Sequence, residues 1–426
     1  MRLTRPGFSA SAMVLVLATS PAVAGDLSLW GDGSGTNNND LLRASGDPCE
    51  HCVPNIPFEG DDPLAGFDWS LGLRAGMRDA GTGDGPGYVA IALPSITYTR
   101  ETLRGGYDFG LAGEISHAFD GSDPRIGAIS ATAGGAYAVD ELTVLDGRLN
   151  LSVSQDDPGG SDYASNVASA PLEVTGDVLF GASRDFGAFD VSARATAGRS
   201  VLGDTEYEDG TSSSNEYQNT TWFGGGARLG YKLTPGITAF FDAEADAEQY
   251  DTVSPSLLVD LDNVTYAGRA GLTARVDEML ELEGSIGLGY RDFEDAGVED
   301  FTATLYDARA TYRPDETLTI TGAFTTTVSS PGQTSGAAAK REYAAAVDVA
   351  YQATPWLRLR ADAGWSEAHY QGIDNDKYVW GGGLGADYLL NENTDLTADY
   401  SFERTETTPN PATDAHQVTL GVLLHR

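Results

Sequence analysis

The sequence predicts an all-β protein, a transmembrane, antiparallel, up-and-down β-barrel of about eighteen strands, with about sixteen as the alternative. Three observations predict this fold. Apolar and polar residues alternate along segments of about ten residues, and the connections between the segments are alternately short and long. One face of the alternating segments also carries too many charged residues for a dry protein core.

Composition and charge exclude several classes of function. The chain has 426 residues, including 52 Gly, and its 63 Asp and Glu residues outnumber its 26 Lys and Arg residues. A formal net charge of -37 at pH 7 would repel nucleic acid and anionic lipid surfaces, so general affinity for either is excluded. Such acidity suits solubility, cation binding or a lumen lined with carboxylates.

Residues 1–24 have the features of a cleavable signal peptide. Arg2 and Arg5 form a short basic region, SASAMVLVLATSPAVA is a short apolar run, and residues 22–24 match an A-x-A cleavage site. We expect the mature chain to begin at Gly25; the alternative is a buried N-terminal helix. No later apolar run reaches the ~20 residues that a membrane helix needs, whereas a membrane-spanning strand needs only about ten.

Residues 25–65 are predicted to form an irregular periplasmic leader, either disordered or folded partly into the lumen. The leader contains Cys49 and Cys52, and two cysteines in an oxidising compartment predict a disulfide that closes a small loop. A metal or redox role is the alternative, although no second cysteine pair completes a zinc site. Val53 stands where a haem attachment motif needs His.

The barrel domain is predicted to cover residues 66–426. In LELEGSIGLGYR, which starts at Leu280, the apolar residues share one face of a strand and the charged residues share the other. Pro94 in the second segment indicates an edge, a bulge or a wrong assignment. The predicted strands begin near Gly66, Tyr88, Gly105, Arg125, Asp146, Leu172, Phe186, Thr220, Gly236, Asn263, Leu280, Phe301, Glu316, Arg341, Trp356, Lys377, Asp395 and Ala415.

The connections between the predicted strands alternate in length. Long segments, such as residues 202–220 and 329–340, are rich in Asp, Gly, Ser, Thr and Asn. Outer-membrane barrels have short periplasmic turns and longer extracellular loops, and an even strand count places both chain ends on the periplasmic side. The short turns recur about every forty residues, as hairpins would, at Pro235, Asp277, Pro314, Pro355 and Glu392.

Aromatic residues cluster near the ends of the predicted strands, as in the girdles of a membrane barrel. A soluble β-sandwich is the alternative, but its aromatics would lie in mid-strand, where this sequence often has Ala, Gly or Val. The glycine-rich residues 222–230 and 379–387 are interpreted as strand glycines at bends or beneath aromatic neighbours. The aromatic residues near strand ends are Trp222 and Tyr231, Tyr306 and Tyr312, and Tyr400 and Phe402.

The stretch FFDAEADAEQY, Phe240 to Tyr250, indicates which face of the strands is directed to the lumen and which to lipid. Its acids fall on every second residue, so on a strand they all face the lumen while the alanines face lipid. Unpaired ions are costly to bury, so this face must contact water or pair with itself, and Arg228, Arg269 and Arg275 are the predicted counter-charges. The predicted lumen-lining residues, which would select solutes by charge and size, are Asp242, Glu244, Asp246, Glu248, Arg228, Arg269, Arg275, Glu281, Glu283, Asp307, Arg309, Arg358, Arg360 and Asp362.

No catalytic, cofactor or metal site is predicted. A barrel enzyme needs a nucleophile with a base, usually His, within hydrogen-bond reach. None of the five histidines has a recognisable partner of this kind in the sequence. We therefore predict that the protein is not an enzyme.

Strand and turn patterns in residues 172–426 resemble those of a known family. They lie in TLYDARATYRPDETLTITGAF, in AVDVAYQATPWLRLRADAGWSEAHYQGIDNDKYVWGGGLGADYLLNENTDLTADYSFERTE and in the last strand HQVTLGVLL. The chain is similar here to the bacterial family named "putative outer-membrane β-barrel porin type 2". The resemblance implies an integral outer-membrane protein, with exopolysaccharide export as a role of some relatives and no catalytic residues. Many outer-membrane proteins end in an aromatic residue, whereas this chain ends Leu424-His425-Arg426.

The predicted function is a passive channel in the outer membrane of a Gram-negative bacterium, reached by export with a signal peptide. It would pass small solutes or serve as the conduit of an exopolysaccharide export system. The alternative is a non-conducting structural or adhesive barrel with acidic surface loops. Expected partners are outer-membrane lipid, lipopolysaccharide, the outer-membrane assembly machinery and, for export, periplasmic polysaccharide export components.

Overall fold

The computed structural model describes residues 66–426 except for residues 80, 82–84, 120–124, 156–166, 256, 278, 330–336, 374–375 and 409–411. The predicted signal peptide, the leader and the Cys49–Cys52 pair therefore lie outside the described residues. Within the described part, antiparallel strands form one large sheet. Its strands are β1 (Phe67–Asp79), β2 (Gly87–Thr102), β3 (Gly105–Ala118), β4 (Arg125–Ala138), β5 (Thr143–Gln155), β6 (Leu172–Asp185), β7 (Phe189–Leu202), β8 (Thr220–Thr234), β9 (Ile237–Tyr250), β10 (Asn263–Val276), β11 (Leu280–Phe293), β12 (Phe301–Tyr312), β13 (Leu318–Ser329), β14 (Lys340–Thr354), β15 (Leu357–Tyr370), β16 (Asp376–Asn391), β17 (Thr394–Thr407) and β18 (Thr413–His425).

The 18-stranded sheet closes on itself. β1 pairs with β18 in an antiparallel register that places Ser70 opposite His425 and Asp79 opposite His416. Every other strand pairs with its neighbours in sequence. The prediction of an all-β, antiparallel, up-and-down barrel with eighteen strands is therefore confirmed. Closure pairs the first strand with the last, so neither of them exposes a free edge to lipid.

The two ends of the barrel differ in their connections. Short turns, such as Pro235-Gly236 between β8 and β9, lie at the end that also holds the start of β1 and the end of β18. We call this the short-turn end and the opposite one the loop end. No helix in the described part of the chain is long and apolar enough to cross a membrane. A small separate sheet at the loop end consists of Val167–Ser169, Thr205–Tyr207 and Ser212–Ser213.

Side chains alternate between an apolar outer face and a polar inner face. On β9, Phe241 is 55% exposed, whereas the preceding Phe240 is 5% exposed and points inward. This alternation follows from the pleat, which sends successive side chains to opposite faces of the sheet. Exposed aromatic residues occupy the outer face near both ends, as membrane girdles do. They are Phe189, Tyr231, Tyr312, Tyr351 and Tyr388 near the short turns, and Tyr88, Tyr266, Tyr290 and Trp380 near the loops.

Trp222 is an exception to the predicted girdle. It has the inward parity of Arg228 on β8, and its ring covers Gly198 on β7, where an added Cβ would overlap it. The girdle interpretation is therefore wrong for Trp222, while the prediction of a strand glycine beneath an aromatic ring describes Gly198 well. The sequence did not distinguish these positions because an aromatic residue at a strand end suits either face.

Pro94 lies inside β2 without interrupting the strand. β2 is matched to β1 on one side through Leu71 opposite Pro94. On the other side, the pairing with β3 stops after Ala92 and resumes at Ser95. A proline has no N–H to donate, so the ladder loses bonds on that side only.

β12 and β13 are paired over only part of their length. Their register runs from Ala308 opposite Phe324 to Tyr312 opposite Ile320, in the half next to the short turn. Toward the loop end, Phe301–Asp307 remain paired with β11 but with no described backbone of β13. We call this interruption of the barrel wall the seam.

Loop residues pack inside the mouth of the barrel next to the seam. Leu261 before β10, Phe293 at the end of β11 and Ala339 before β14 form a buried apolar cluster, which we call the cap. The Gln371 side-chain amide donates to the Glu299 carbonyl oxygen over 2.7 Å and ties two further loops together. The cap therefore covers part of the loop end of the lumen.

Candidate functional site: the barrel lumen

β9 presents its four acids to the inside of the barrel. Asp242, Glu244, Asp246 and Glu248 share the inward parity of the buried Phe240, and the alanines between them face outward. The stretch adopts a strand because it is paired along its length with both β8 and β10. Tertiary pairing thus overrides the helix propensity of Ala and Glu.

Arg269 on β10 connects acids on two other strands. Its Nε lies 2.9 Å from Oδ2 of Asp307 on β12, and its Nη1 donates to Glu244 on β9. Arg194 on β7 also contacts Glu244, and its Nη1 lies 3.4 Å from Oδ2 of Asp242. Arg269 and Arg194 have side chains that are 4% exposed. These charges are therefore almost fully withdrawn from water and depend on one another.

The network continues toward both ends of the barrel. Near the loops, Nη2 of Arg291 on β11 lies 2.5 Å from Oε2 of Glu248. Near the short turns, Nη2 of Arg228 on β8 lies 2.8 Å from Oε2 of Glu283 on β11, and its guanidinium carbon is 3.6 Å from the centre of the Phe240 ring. We call the inner faces of β7–β12 the ionic wall.

Glycines make room for these side chains against the wall. A Cβ at Gly224 would overlap the Asp246 carboxylate, and one at Gly226 would lie 2.9 Å from the guanidinium carbon of Arg194. Both glycines face inward on β8, so the absence of a side chain lets the ions lie flat on the backbone. The glycine-rich stretch thus supports the ionic wall.

A cavity of about 750 Å³ lies on the other side of the lumen. Its lining comes from β1–β4 and β13–β18, and it includes the turn residues Pro355 and Trp356 at the short-turn end. Most lining positions carry small or hydroxyl side chains, such as Ser70, Thr321 and Ala346. We call this part of the lumen the cavity side.

Charged side chains on the cavity side are fewer, and some of them, such as Asp362, are accessible. Five lining carboxylates face three arginines, so the cavity carries a net negative charge. Asp362 is exposed and lies opposite Asp348 in the β14–β15 register. Like charges placed opposite each other repel, so this pair gives the cavity a locally negative wall. The lining charges are Glu114, Asp348, Asp362, Asp387, Asp395, Arg74, Arg358 and Arg360.

Arg360 and Asp399 hold part of the cavity side in place. Nε of Arg360 lies 2.8 Å from Oδ2 of Asp387, and its Nη2 lies 2.7 Å from Oδ1 of Asp399 on β17. Arg74 on β1 approaches the other oxygen of Asp399 at 3.4 Å. These pairs link β15, β16, β17 and β1 across the closure of the barrel.

The remaining predicted lumen residues lie on the inner face near the short turns. Arg275 and Glu281 form an exposed pair at 3.1 Å, and Arg309 lies opposite Glu283 in the β11–β12 register. Arg358 lies opposite Asp387 on the cavity side. The structure therefore brings the predicted residues onto one face but divides them between two walls.

The predicted lumen-lining set lacks five residues of these networks, which are Arg74, Arg194, Arg291, Asp387 and Asp399. Each lies on a strand at the inward parity, so the period of two contained the signal. Arg228 and Arg275, predicted as counter-charges for the β9 acids, make their short ion pairs with Glu283 and Glu281 on β11 instead. Arg228 reaches past β9 and β10 to a strand three positions away, whereas Arg275 pairs with Glu281 directly opposite it on the adjacent strand.

The loop end carries ion pairs of a different kind. Nη2 of Arg199, on the outer face at the end of β7, lies 2.6 Å from Oδ2 of Asp251. A hydrogen bond from the Arg199 guanidinium holds the pKa of the Asp251 carboxyl below its usual range.

Nowhere in the described part of the chain do three or more His, Cys, Asp or Glu side chains form a group that could hold a metal ion.

A sequence model of the family described as "Putative beta-barrel porin 2" matches residues 102–426. The chain belongs to this family. The resemblance predicted from residues 172–426 is thereby confirmed, and the match begins seventy residues earlier than the resemblance did. The porin family and the closed barrel together define an outer-membrane β-barrel. A search among curated proteins found no match.

Solved structures with the same kind of fold are distant from this porin. OccK5 (OpdH) of Pseudomonas aeruginosa is 13% identical, with a TM-score of 0.41, and the match covers 85% of this chain and 99% of that one. OpdK of the same organism, solved with vanillate, is 10% identical, with a TM-score of 0.44 and coverage of 85% and 100%.

Proposed function

We propose that the protein is a passive outer-membrane channel for small polar solutes and that the solutes pass along the cavity side of the lumen. The observation that carries this proposal is the cavity of about 750 Å³ inside a closed barrel, lined mainly by small and hydroxyl side chains. A space of this size suits small molecules. On the ionic wall, by contrast, the paired side chains of Arg194 and Arg269 are almost fully buried.

The charges of the cavity side favour cationic or neutral solutes. Rings of carboxylates select cations in other pores by electrostatic attraction. Asp348 and Asp362 lie side by side on adjacent strands, and the cavity has more carboxylates than arginines. We expect weak cation selectivity because Arg358 and Arg360 reduce the net charge.

Exopolysaccharide export is the second candidate, and the cavity lining speaks against it. The apolar faces of sugar rings pack favourably on aromatic side chains, so an aromatic surface along the lumen would favour a sugar polymer. Among the described residues that line the cavity, only Trp356 and Phe402 are aromatic. This lining supports small solutes over a sugar polymer.

Export and assembly form part of the same proposal. Residues 1–24 would direct the chain across the inner membrane as a cleavable signal peptide, and the outer-membrane assembly machinery would insert the barrel. Outer-membrane lipid and lipopolysaccharide would then contact the apolar outer face. Mass spectrometry of protein purified from outer membranes, with Gly25 as the expected first residue, tests the signal peptide.

Conductance in planar lipid bilayers tests the channel. Ala346 lines the cavity, while Val347 on the same strand faces outward and is 47% exposed. Ala346→Trp should reduce single-channel conductance at least twofold because the indole would occupy the cavity. Val347→Trp should leave the conductance unchanged because the same ring would contact lipid.

Two results would contradict this function. Protein that inserts as a folded barrel without any conductance steps would favour a non-conducting structural barrel. Equal conductance in both tryptophan variants and the unmodified protein would show that ions take a path other than the cavity side.

A further inference from the structure

The loop-side half of β13 does not continue the barrel wall. On β13, Thr319 and Thr321 line the cavity, so even-numbered residues should face outward toward lipid. Thr326 and Val328 have this outward parity, yet Thr326 is 0% exposed and Val328 packs in an apolar cluster. Something must therefore cover the outer face of β13 in this half.

β12 covers it. The cluster that receives Val328 consists of Ala267 on β10 with Ala303 and Leu305 on β12, and all three face inward. An outward-facing side chain can pack on inward-facing ones only when its strand lies inside theirs. The loop-side half of β13 therefore overlaps β12 from within the lumen, and the wall is doubled at the seam.

Where the overlap begins, the Thr326 side chain makes the hydrogen bonds to the β12 backbone that a paired strand would otherwise make. Its hydroxyl accepts from the Tyr306 N–H at 3.1 Å and donates to the Tyr306 carbonyl oxygen at 3.1 Å. Both backbone groups of Tyr306 thus point toward β13 and are satisfied by a side chain. By strand alternation, the N–H and C=O of Thr304 point the same way.

The existing register can be extended to close the seam. Ala308 lies opposite Phe324, so continuing the ladder would place Tyr306 opposite Thr326 and Thr304 opposite Val328. In that arrangement, Thr326 and Val328 would face lipid beside Thr304 and Tyr306. The sequence is thus compatible with two packings: an overlapped wall with a buried apolar cluster, and an in-register wall with more backbone hydrogen bonds.

The overlap is also connected to the cap. β13 and β14 are paired over their whole length, up to Ser329 opposite Lys340. Ala339, which precedes Lys340, is 0% exposed and belongs to the cap with Leu261 and Phe293. Movement of the loop-side half of β13 into the wall would carry β14 outward and withdraw Ala339 from the cap.

We propose that the loop-side half of β13, together with the part of β14 paired to it, is a gate that is closed in the overlapped state and open when β13 pairs in register with β12. This inference rests on the proposed channel function for its consequence, but the two-state seam itself is independent of conductance. Opening would remove the inner layer from the lumen and loosen the cap. The gate would therefore control access from the loop end to the cavity side.

Disulfide trapping in the full-length barrel tests the two states directly. In a Cys49→Ser, Cys52→Ser background, Thr304→Cys with Val328→Cys would be opposite each other only in register, within the Cα separation that a disulfide allows. In the overlapped state the two thiols lie on opposite sides of β12. Ala310→Cys with Gly322→Cys is the matched control, because these residues are already paired on the same two strands.

We expect copper phenanthroline to cross-link both pairs in membranes, with the seam pair slower than the control. Thr326→Val removes both hydroxyl hydrogen bonds of the overlapped state and should increase the rate for the seam pair at least threefold without changing the control rate. A control pair that cross-links while the seam pair does not, with or without Thr326→Val, would overturn the gate.

Conductance separates the gate from the channel. The oxidised seam pair should give a higher open probability at the loop end than the same protein after reduction, while oxidation of the control pair should have no effect. Cross-linking of the seam without any conductance in either state would disprove the channel function and leave the two-state seam standing. Conductance unchanged by an efficiently formed seam disulfide would overturn the gating role.

Discussion

The ionic wall and the cavity side are built from the same strand pattern but use their charges differently. On the ionic wall, Arg194 and Arg269 are 4% exposed and each contacts two carboxylates. On the cavity side, Asp362 is exposed and lies opposite another carboxylate. The first arrangement satisfies its charges internally, and the second leaves charge available to solutes.

An inward-facing charge is therefore not by itself a selectivity residue. A buried, paired ion contributes to the integrity of the barrel, because removal of one partner leaves the other desolvated and uncompensated. An exposed, unpaired one contributes to the field along the permeation path. Substitutions on the two sides should therefore affect different measurements.

The largest expected effect is the loss of the Arg269 side-chain charge. Arg269→Met leaves Glu244 and Asp307 without their shared partner, and we expect the free energy of unfolding to fall by about 3–5 kcal/mol. Urea denaturation in lipid vesicles measures this change. Arg275→Met is the control, because its pair with Glu281 is exposed and should contribute about 1 kcal/mol or less. Equal losses in both variants would remove the distinction between buried and exposed pairs.

A smaller loss is expected when the ions lose their space on the wall. Gly224→Ala would push a methyl group into the Asp246 carboxylate and should cost about 1–3 kcal/mol. Gly225→Ala on the outer face meets only ordinary contact at 3.5 Å and should be nearly neutral. The same denaturation measurement compares the two, and a neutral Gly224→Ala would show that Asp246 moves freely.

Guanidinium geometry should account for a smaller effect still. Arg228→Lys keeps the positive charge but loses the planar contact over Phe240 and one of the two hydrogen bonds to Glu283. We expect a loss of about 1 kcal/mol in unfolding free energy. Arg275→Lys, in an exposed pair, is the control and should lower the free energy of unfolding by less. A larger loss for Arg275→Lys than for Arg228→Lys would contradict a packed ionic wall.

The smallest effect on stability is expected on the cavity side, where selectivity should change instead. Asp362→Asn removes an exposed negative charge and relieves its repulsion with Asp348. Reversal potentials under a salt gradient should shift toward lower cation preference, by up to about twofold in permeability ratio. Asp307→Asn on the ionic wall should lower stability and leave the reversal potential nearly unchanged.

Much of the barrel could be predicted from local pattern. The predicted strand starts at Gly105, Leu172, Thr220, Asn263, Leu280 and Phe301 are also the starts of those strands in the structure. This agreement arises because a strand half exposed to lipid must alternate at every second residue, which leaves a visible pattern. Pro94 obscured the second strand because its effect depends on which neighbour its missing N–H faces.

The ion-pair partners of the lumenal arginines were harder to predict from the sequence. The period of two identifies inward positions, but Arg228 pairs with Glu283 three strands away and not with Asp242 directly opposite. Long side chains can choose among several partners, and burial, glycine spacing and competition from residues such as Arg194 decide among them. None of these quantities is local in sequence.

The sequence by itself determined the architecture: eighteen alternating strands, the short-turn and loop ends, and an inner face rich in charge. These features depend on residues that are neighbours in the chain or one hairpin apart. Only the tertiary structure decided that the charges divide into a buried ionic wall and an accessible cavity side, and that β13 overlaps β12 at the seam. The physical reason is that both depend on closure of the barrel, which brings distant strands into contact and lets buried apolar area compete with backbone pairing.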